Sequence, residues 1–106
     1  SMFDLKKYFK TAWDKLESER KSFIRRTMLN NLNQGKKEGI YKPELDAEIT
    51  SDIYIYLIGY LTNPENHDGK ATDLKTMHFE LIKYHLRSIC TPKGLTIMNE
   101  KFKEIN

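Results

Sequence analysis

Between Ala47 and Leu61 the chain reads Ala-Glu-Ile-Thr-Ser-Asp-Ile-Tyr-Ile-Tyr-Leu-Ile-Gly-Tyr-Leu, with no charged residue after Asp52. Its β-branched and aromatic residues also permit a strand. Fifteen residues are long for a strand, however, and no partner strand is evident. A helix is the preferred reading, with Asp46 as its N-cap. A helix that is apolar almost all round must be covered on two sides. A chain of 106 residues has few elements to do so. One side is therefore expected to face the chain's own core and the other a second subunit.

The remaining sequence is also helical in pattern. Phe3, Leu5, Tyr8 and Phe9 predict a short helix over 3–9. Thr11 then offers a cap for a long helix, with Asp14 three places on as a shortened capping box. Trp13, Leu16, Phe23, Ile24, Thr27, Met28, Leu32 and Gly35 follow in steps of three and four, interrupted only at Arg20. They form one stripe. Gly39 is expected to end this helix as its C′ residue. Roughly 27 residues at 1.5 Å each give about 40 Å, the length of a scaffold element. Pro43 biases Lys42 away from helical dihedrals. Residues 62–72 are a loop by composition. Thr72 offers a cap for a helix over 73–90, with a stripe of Leu74, Met77, His78, Leu81, Ile82, His85, Leu86 and Ile89. Thr91 caps a last helix that starts at Pro92 and runs to about Glu104, with Leu95, Ile97, Met98, Phe102 and Ile105 supplying its buried side. The expected fold is a single all-α domain over 1–106, an antiparallel bundle of about five helices.

Composition narrows the classes. No run of about 18 apolar residues is present, so no spanning helix is expected. The charged N-terminus lacks the apolar core of a secretory signal. One cysteine, Cys90, excludes an internal disulfide framework and fits a reducing compartment, so a cytoplasmic location is expected. Ser1 before Met2 has the look of a tag-cleavage scar, and 106 residues need not be the natural length. The net charge of +3 hides a partition. Residues 1–42 hold eleven Lys/Arg and five Asp/Glu, whereas residues 43–68 hold six Asp/Glu and no Lys/Arg. A nucleic-acid domain usually carries a stronger excess. Arg20, Lys21, Arg25 and Arg26 could touch phosphate, but a solvated helix face is the simpler reading.

Reactive motifs are missing. There is no glycine-rich phosphate loop. One cysteine cannot build a thiolate zinc site. The loop at 63–69 lacks the acidic spacing of a calcium site. His78 and His85 lie seven apart, not at the i, i+4 spacing that a helical metal pair uses, so they read as core or interface histidines. Cys90 carries no nucleophile signature and reads as a buried thiol. No cofactor, metal or catalytic residue is expected. Trp13, Phe23, Tyr54, Tyr56, Tyr60, Phe79 and Tyr84 remain, either as core or as the lining of an apolar pocket with polar anchors.

Three stretches carry a resemblance. Gly35-Lys36-Lys37-Glu38-Gly39-Ile40-Tyr41-Lys42-Pro43-Glu44-Leu45-Asp46 resembles the connection between helices in the effector-binding domain of tetracycline-repressor (TetR) family transcription regulators. Leu81 to Gly94 resembles the last part of one branch of that family. Asp4-Leu5-Lys6-Lys7-Tyr8-Phe9 resembles the stretch entering its long central helix. Lys10-Thr11-Ala12 lacks the proline that many members carry there. The three-helix DNA-reading module with which full members begin has no counterpart in these residues.

The resemblance implies the C-terminal effector-binding and dimerisation domain of such a regulator. Its partners would be a second copy of itself and an unknown small-molecule effector, with DNA reached only through the missing module and no membrane. Members dimerise by packing two C-terminal helices of each subunit into a four-helix bundle, here residues 47–61 and 73–90. Interface candidates are Ile53, Leu57, Tyr60, Leu61, Leu81, Tyr84, His85 and Ile89. Pocket candidates, chosen on geometry, are Trp13, Phe23, Met28, Tyr54, Tyr56 and His78. Two other readings compete: a helical protein–protein interaction module that docks another protein's helix on residues 47–61 without a small-molecule ligand, and a small enzyme using His78, His85 and Cys90.

Overall fold

A computed structural model describes residues 2–67 and 73–105, with side chains from Asp4 onward. Helix α1 (Met2–Lys37) is continuous over 36 residues, about 54 Å at 1.5 Å per residue. The break expected at Thr11 does not occur. The Thr11 hydroxyl donates to the Lys7 carbonyl one turn back, so it sits inside the helix rather than capping one. Lys10 also spans this region, pairing with Asp14 at 2.7 Å. With no proline at 10–12, nothing interrupts the backbone ladder.

The end of α1 is as the sequence predicts. Gly39 takes φ +75°, the left-handed region where a side chain is strained. The Gly39 amide donates to Lys36 O and the Ile40 amide to Gly35 O, the paired bonds of a Schellman motif. The Tyr41 ring folds back over Gly35, where a Cβ would collide with it, and the Tyr41 hydroxyl donates to Asn31 at 3.0 Å.

Helix α2 (Ala47–Thr62) starts at Asp46, whose carboxylate accepts from the Ile49 amide. One 3₁₀ turn, Pro64–His67, follows it. Helix α3 (Leu74–Ile89) is capped by Asp73, which accepts from the Lys75 amide and the Thr76 hydroxyl. The proposed cap Thr72 lies outside the described residues. Helix α4 (Pro92–Ile105) begins as expected, with the Thr91 hydroxyl accepting from the Gly94 amide. The described residues thus hold four α-helices rather than five, because the first two expected helices are one. None of them is long and apolar enough to cross a membrane.

The two connectors, α1–α2 and α3–α4, lie against each other. Lys42 N donates to Ile89 O, Thr91 N to Ile40 O, and the Thr91 hydroxyl to Gly39 O. Lys42 Nζ reaches Ser88 O and Lys93 Nζ reaches Glu38 O. Gly94 belongs here for a steric reason: a Cβ on it would collide with Ile40 O. The core grows from this junction, with Leu32, Tyr41, Ile89 and Cys90 buried and Ile40, Leu45, Leu86 and Leu95 packed around them. Phe79 meets Phe102 edge-on at 5.1 Å and ties α3 to α4.

α2 runs back along α1 and stops well short of its start. Arg25 pairs with Asp52 at 2.9 Å, and the far end of α2 lies beside Arg20 and Lys21. The first half of α1 therefore projects beyond the bundle. Leu5, Tyr8, Phe9, Trp13 and Leu16 form an exposed stripe along it. The molecule measures 60 × 36 × 23 Å, with a radius of gyration of 17.9 Å. A compact chain of this length has about 13 Å.

Candidate functional site

A cleft of about 290 Å³ opens where α1, α2 and α3 meet. Met28 from α1 and Tyr54, Ile55 and Ile58 from α2 form its half-buried floor. These three α2 positions follow helical spacing on the inner face. Arg20, Lys21, Thr62 and His78 stand exposed around the rim. Arg20 is engaged with Glu17 at 3.1 Å. Lys21 and His78 have no hydrogen-bond or ion-pair partner among the described residues.

A second cleft of about 300 Å³ lies nearer the connectors and shares Met28 and Tyr54 with the first. His85 stands at this junction, stacked on the Tyr54 ring with centroids 4.2 Å apart and 25° between the planes. Burial lowers the His85 pKa, because the charged imidazolium loses solvation there. Burial raises the Tyr54 pKa for the same reason acting on a phenolate. The stack is thus neutral and half-buried at ordinary pH, with Tyr54 lining both clefts and His85 the second.

Of the six pocket candidates, Met28, Tyr54 and His78 come together in the first cleft. Trp13, Phe23 and Tyr56 do not line it. Trp13, 62% exposed, lies on the projecting half of α1 beyond the reach of α2. Phe23 is exposed beside the Ile24 that does line the cleft. Tyr56, 82% exposed, faces outward because residues two apart on a helix point about 200° apart. Ile55, Ile58 and Gly59 were missed, although the i, i+4 spacing from Tyr54 and Ile55 pointed to the last two.

The interface candidates divide similarly. Ile53, Leu57, Tyr60 and Tyr84 are exposed. Together with Ile49 and Tyr56, the three on α2 form an uncovered apolar face. Leu81 and His85 are half-buried inside the chain. Leu61 and Ile89 are buried and not offered to a partner. The 3₁₀ turn folds back over Leu61, with Asn66 Nδ2 donating to Tyr60 O and the His67 ring against Leu61 O. Ile89 belongs to the junction core.

The basic cluster of α1 is partly spent on intrachain pairs. Arg25 holds the Asp52 carboxyl below its usual range through a charged hydrogen bond, the largest cause of that shift. Cys90 is buried, and desolvation pushes its thiol pKa up, away from the reactive thiolate. His78 and Cys90 are twelve residues apart along α3, about 18 Å, so they share no site. Among the described residues no group of three or more His, Cys, Asp or Glu is placed to hold a metal ion. Compared with known proteins, the chain matches no family model, no curated protein and no solved structure.

Proposed function

We propose that this chain is the effector-binding and dimerisation domain of a TetR-like transcription regulator. In this reading, ligand occupancy between α1, α2 and α3 is transmitted to a DNA-reading module outside these residues. The observation that carries it is the packing of two of the three stretches bearing the resemblance. Residues 35–46 and 81–94 fold against each other, joined by backbone bonds at Lys42–Ile89 and Thr91–Ile40. Gly35, Gly39 and Gly94 each meet a steric or dihedral demand there. The resemblance therefore falls on residues that shape one local structure.

A two-fold dimer would cover the outer face of α2, and an effector would shift the balance between arrangements by binding one more tightly. Sedimentation equilibrium tests the first part. A mass twice 12.6 kDa at micromolar concentration is the expected result, and a monomer there would overturn the dimer. A second reading draws on the uncovered stripe of α1. It makes the chain a helical interaction module, docking another protein along Leu5 to Leu16. A heterotypic complex whose contacts map to Leu5, Tyr8, Phe9, Trp13 and Leu16 would favour it.

A further inference from the structure

α2 carries a glycine at 59, three residues from its C-terminal end. Inside a helix a glycine is destabilising relative to alanine, because its backbone loses more freedom on folding. Such a glycine is commonly explained by a neighbour that leaves no room for a side chain. Gly59 has no such neighbour: a Cβ built there meets nothing within 4 Å. Gly35 and Gly94, by contrast, are each pressed by an atom of the chain. The space kept open at Gly59 belongs to the first cleft.

The lining of that cleft has a clear polarity. Its half-buried floor is mainly apolar, from Met28, Tyr54, Ile55 and Ile58, with Ile24 at its edge. Its rim is cationic or hydrogen-bond donating, from Arg20, Lys21 and His78, and among the described residues no carboxylate lines the cleft. Glu17 binds Arg20 from outside the lining, which leaves Lys21 as the free cation of the rim among the described residues. His78 donates through a ring nitrogen in either protonation state. An apolar floor beneath a positive rim suits a ligand with an aliphatic or aromatic body and one anionic head.

We propose that the cleft between α1, α2 and α3 binds an apolar monoanion of the carboxylate class. Its body lies over Met28 and Ile58 in the space left by Gly59, and its head meets Lys21 and His78. This rests on the effector-binding reading and names the ligand class of that site.

The test uses the whole chain and three probes of equal tail: decanoate, decan-1-ol and decyltrimethylammonium, each below its micelle concentration. Calorimetry measures affinity, and methyl NMR of Met28 and Ile58 reports location. Decanoate is expected to bind saturably, to shift both methyl groups, and to bind at least about tenfold more tightly than the other two, as a charge-assisted hydrogen bond supplies. Lys21→Gln is expected to weaken decanoate about tenfold, whereas Lys6→Gln, on the projecting half of α1, leaves it unchanged. Gly59→Leu places its Cβ in open space and its branched end toward the cleft, and it is expected to abolish binding while the circular dichroism of the chain is retained.

Equal or tighter binding of the alcohol or the cation, blocked by Gly59→Leu, would overturn the anionic class and leave the effector reading standing. Failure of all three probes to bind in a way that Gly59→Leu blocks would overturn the proposal and count against the effector reading. A Gly59→Leu chain that binds decanoate normally but changes mass in sedimentation would assign the glycine to a subunit contact, and the proposal falls.

Discussion

At the scale of single residues, Gly39 and His85 carry consequences that can be measured. Gly39 holds φ +75° and closes the Schellman turn that places Tyr41 over Gly35. Gly39→Ala is expected to lower unfolding free energy by about 1–2 kcal/mol, the cost of the left-handed region for an L-residue. Urea unfolding reads this directly, and an unchanged midpoint would show that the turn relaxes. His85 is held below the ordinary histidine pKa by burial against Tyr54. Its unfolded form therefore binds a proton at a pH where the folded form does not. That contribution to stability is complete above the unfolded value of about 6.5 and is lost as pH falls below it toward the folded value. The thermal midpoint should drop between pH 7 and pH 5, and His85→Gln should flatten that part of the profile. Neither residue's environment was legible in full. The left-handed glycine was signalled by its place after a helical stripe. The Tyr54–His85 stack joins residues 31 apart on two helices, and no local pattern announces it.

At the scale of elements, the two halves of α1 differ in what they do for the chain. Leu32, 3% exposed, sits in the junction core, whereas Trp13 projects beyond the bundle. Leu32→Ala is expected to cost about 2–5 kcal/mol, the range for emptying a core leucine position. Trp13→Ser, on a surface that touches no other helix, is expected to change monomer stability by about 0.5 kcal/mol or less. A large loss from the second substitution would mean that another copy or segment covers the stripe in solution. Helix boundaries at Gly39, Asp46, Thr91 and Pro92 were readable because caps and turn residues act locally. The break at Thr11 was misread for a related reason. A threonine before an apolar stripe has the chemistry of a cap, but it also bonds one turn back inside a continuing helix. Which of the two occurs depends on the residues before it.

At the scale of the whole molecule, the chain exposes more surface than a compact monomer of its mass. Its accessible area is 8442 Å², against about 6,200 Å² for a compact monomer of 12.6 kDa. The excess is of the order of a protein–protein interface. The apolar outer face of α2 supplies much of the material for one: Ile49, Ile53, Tyr56, Leu57 and Tyr60. Ile53→Glu with Tyr56→Glu is expected to leave helicity intact and convert a dimer to a monomer in sedimentation. Retention of the dimer would move the interface elsewhere. The sequence by itself determined that the chain is helical, where its helices end apart from the break expected at Thr11, and that the segment after Asp46 is apolar on two sides. Periodicity, capping and hydrophobic balance are properties of neighbours along the chain, and they survive without knowledge of the fold. Only the tertiary structure decided which apolar residues are spent inside: Leu61 and Ile89 buried, Tyr56 and Trp13 exposed, Met28, Tyr54 and His78 gathered at one cleft. An all-round apolar helix offers the same chemistry in every direction. The facing of its sides is set by helices distant in sequence, whose lengths and crossings no local pattern records.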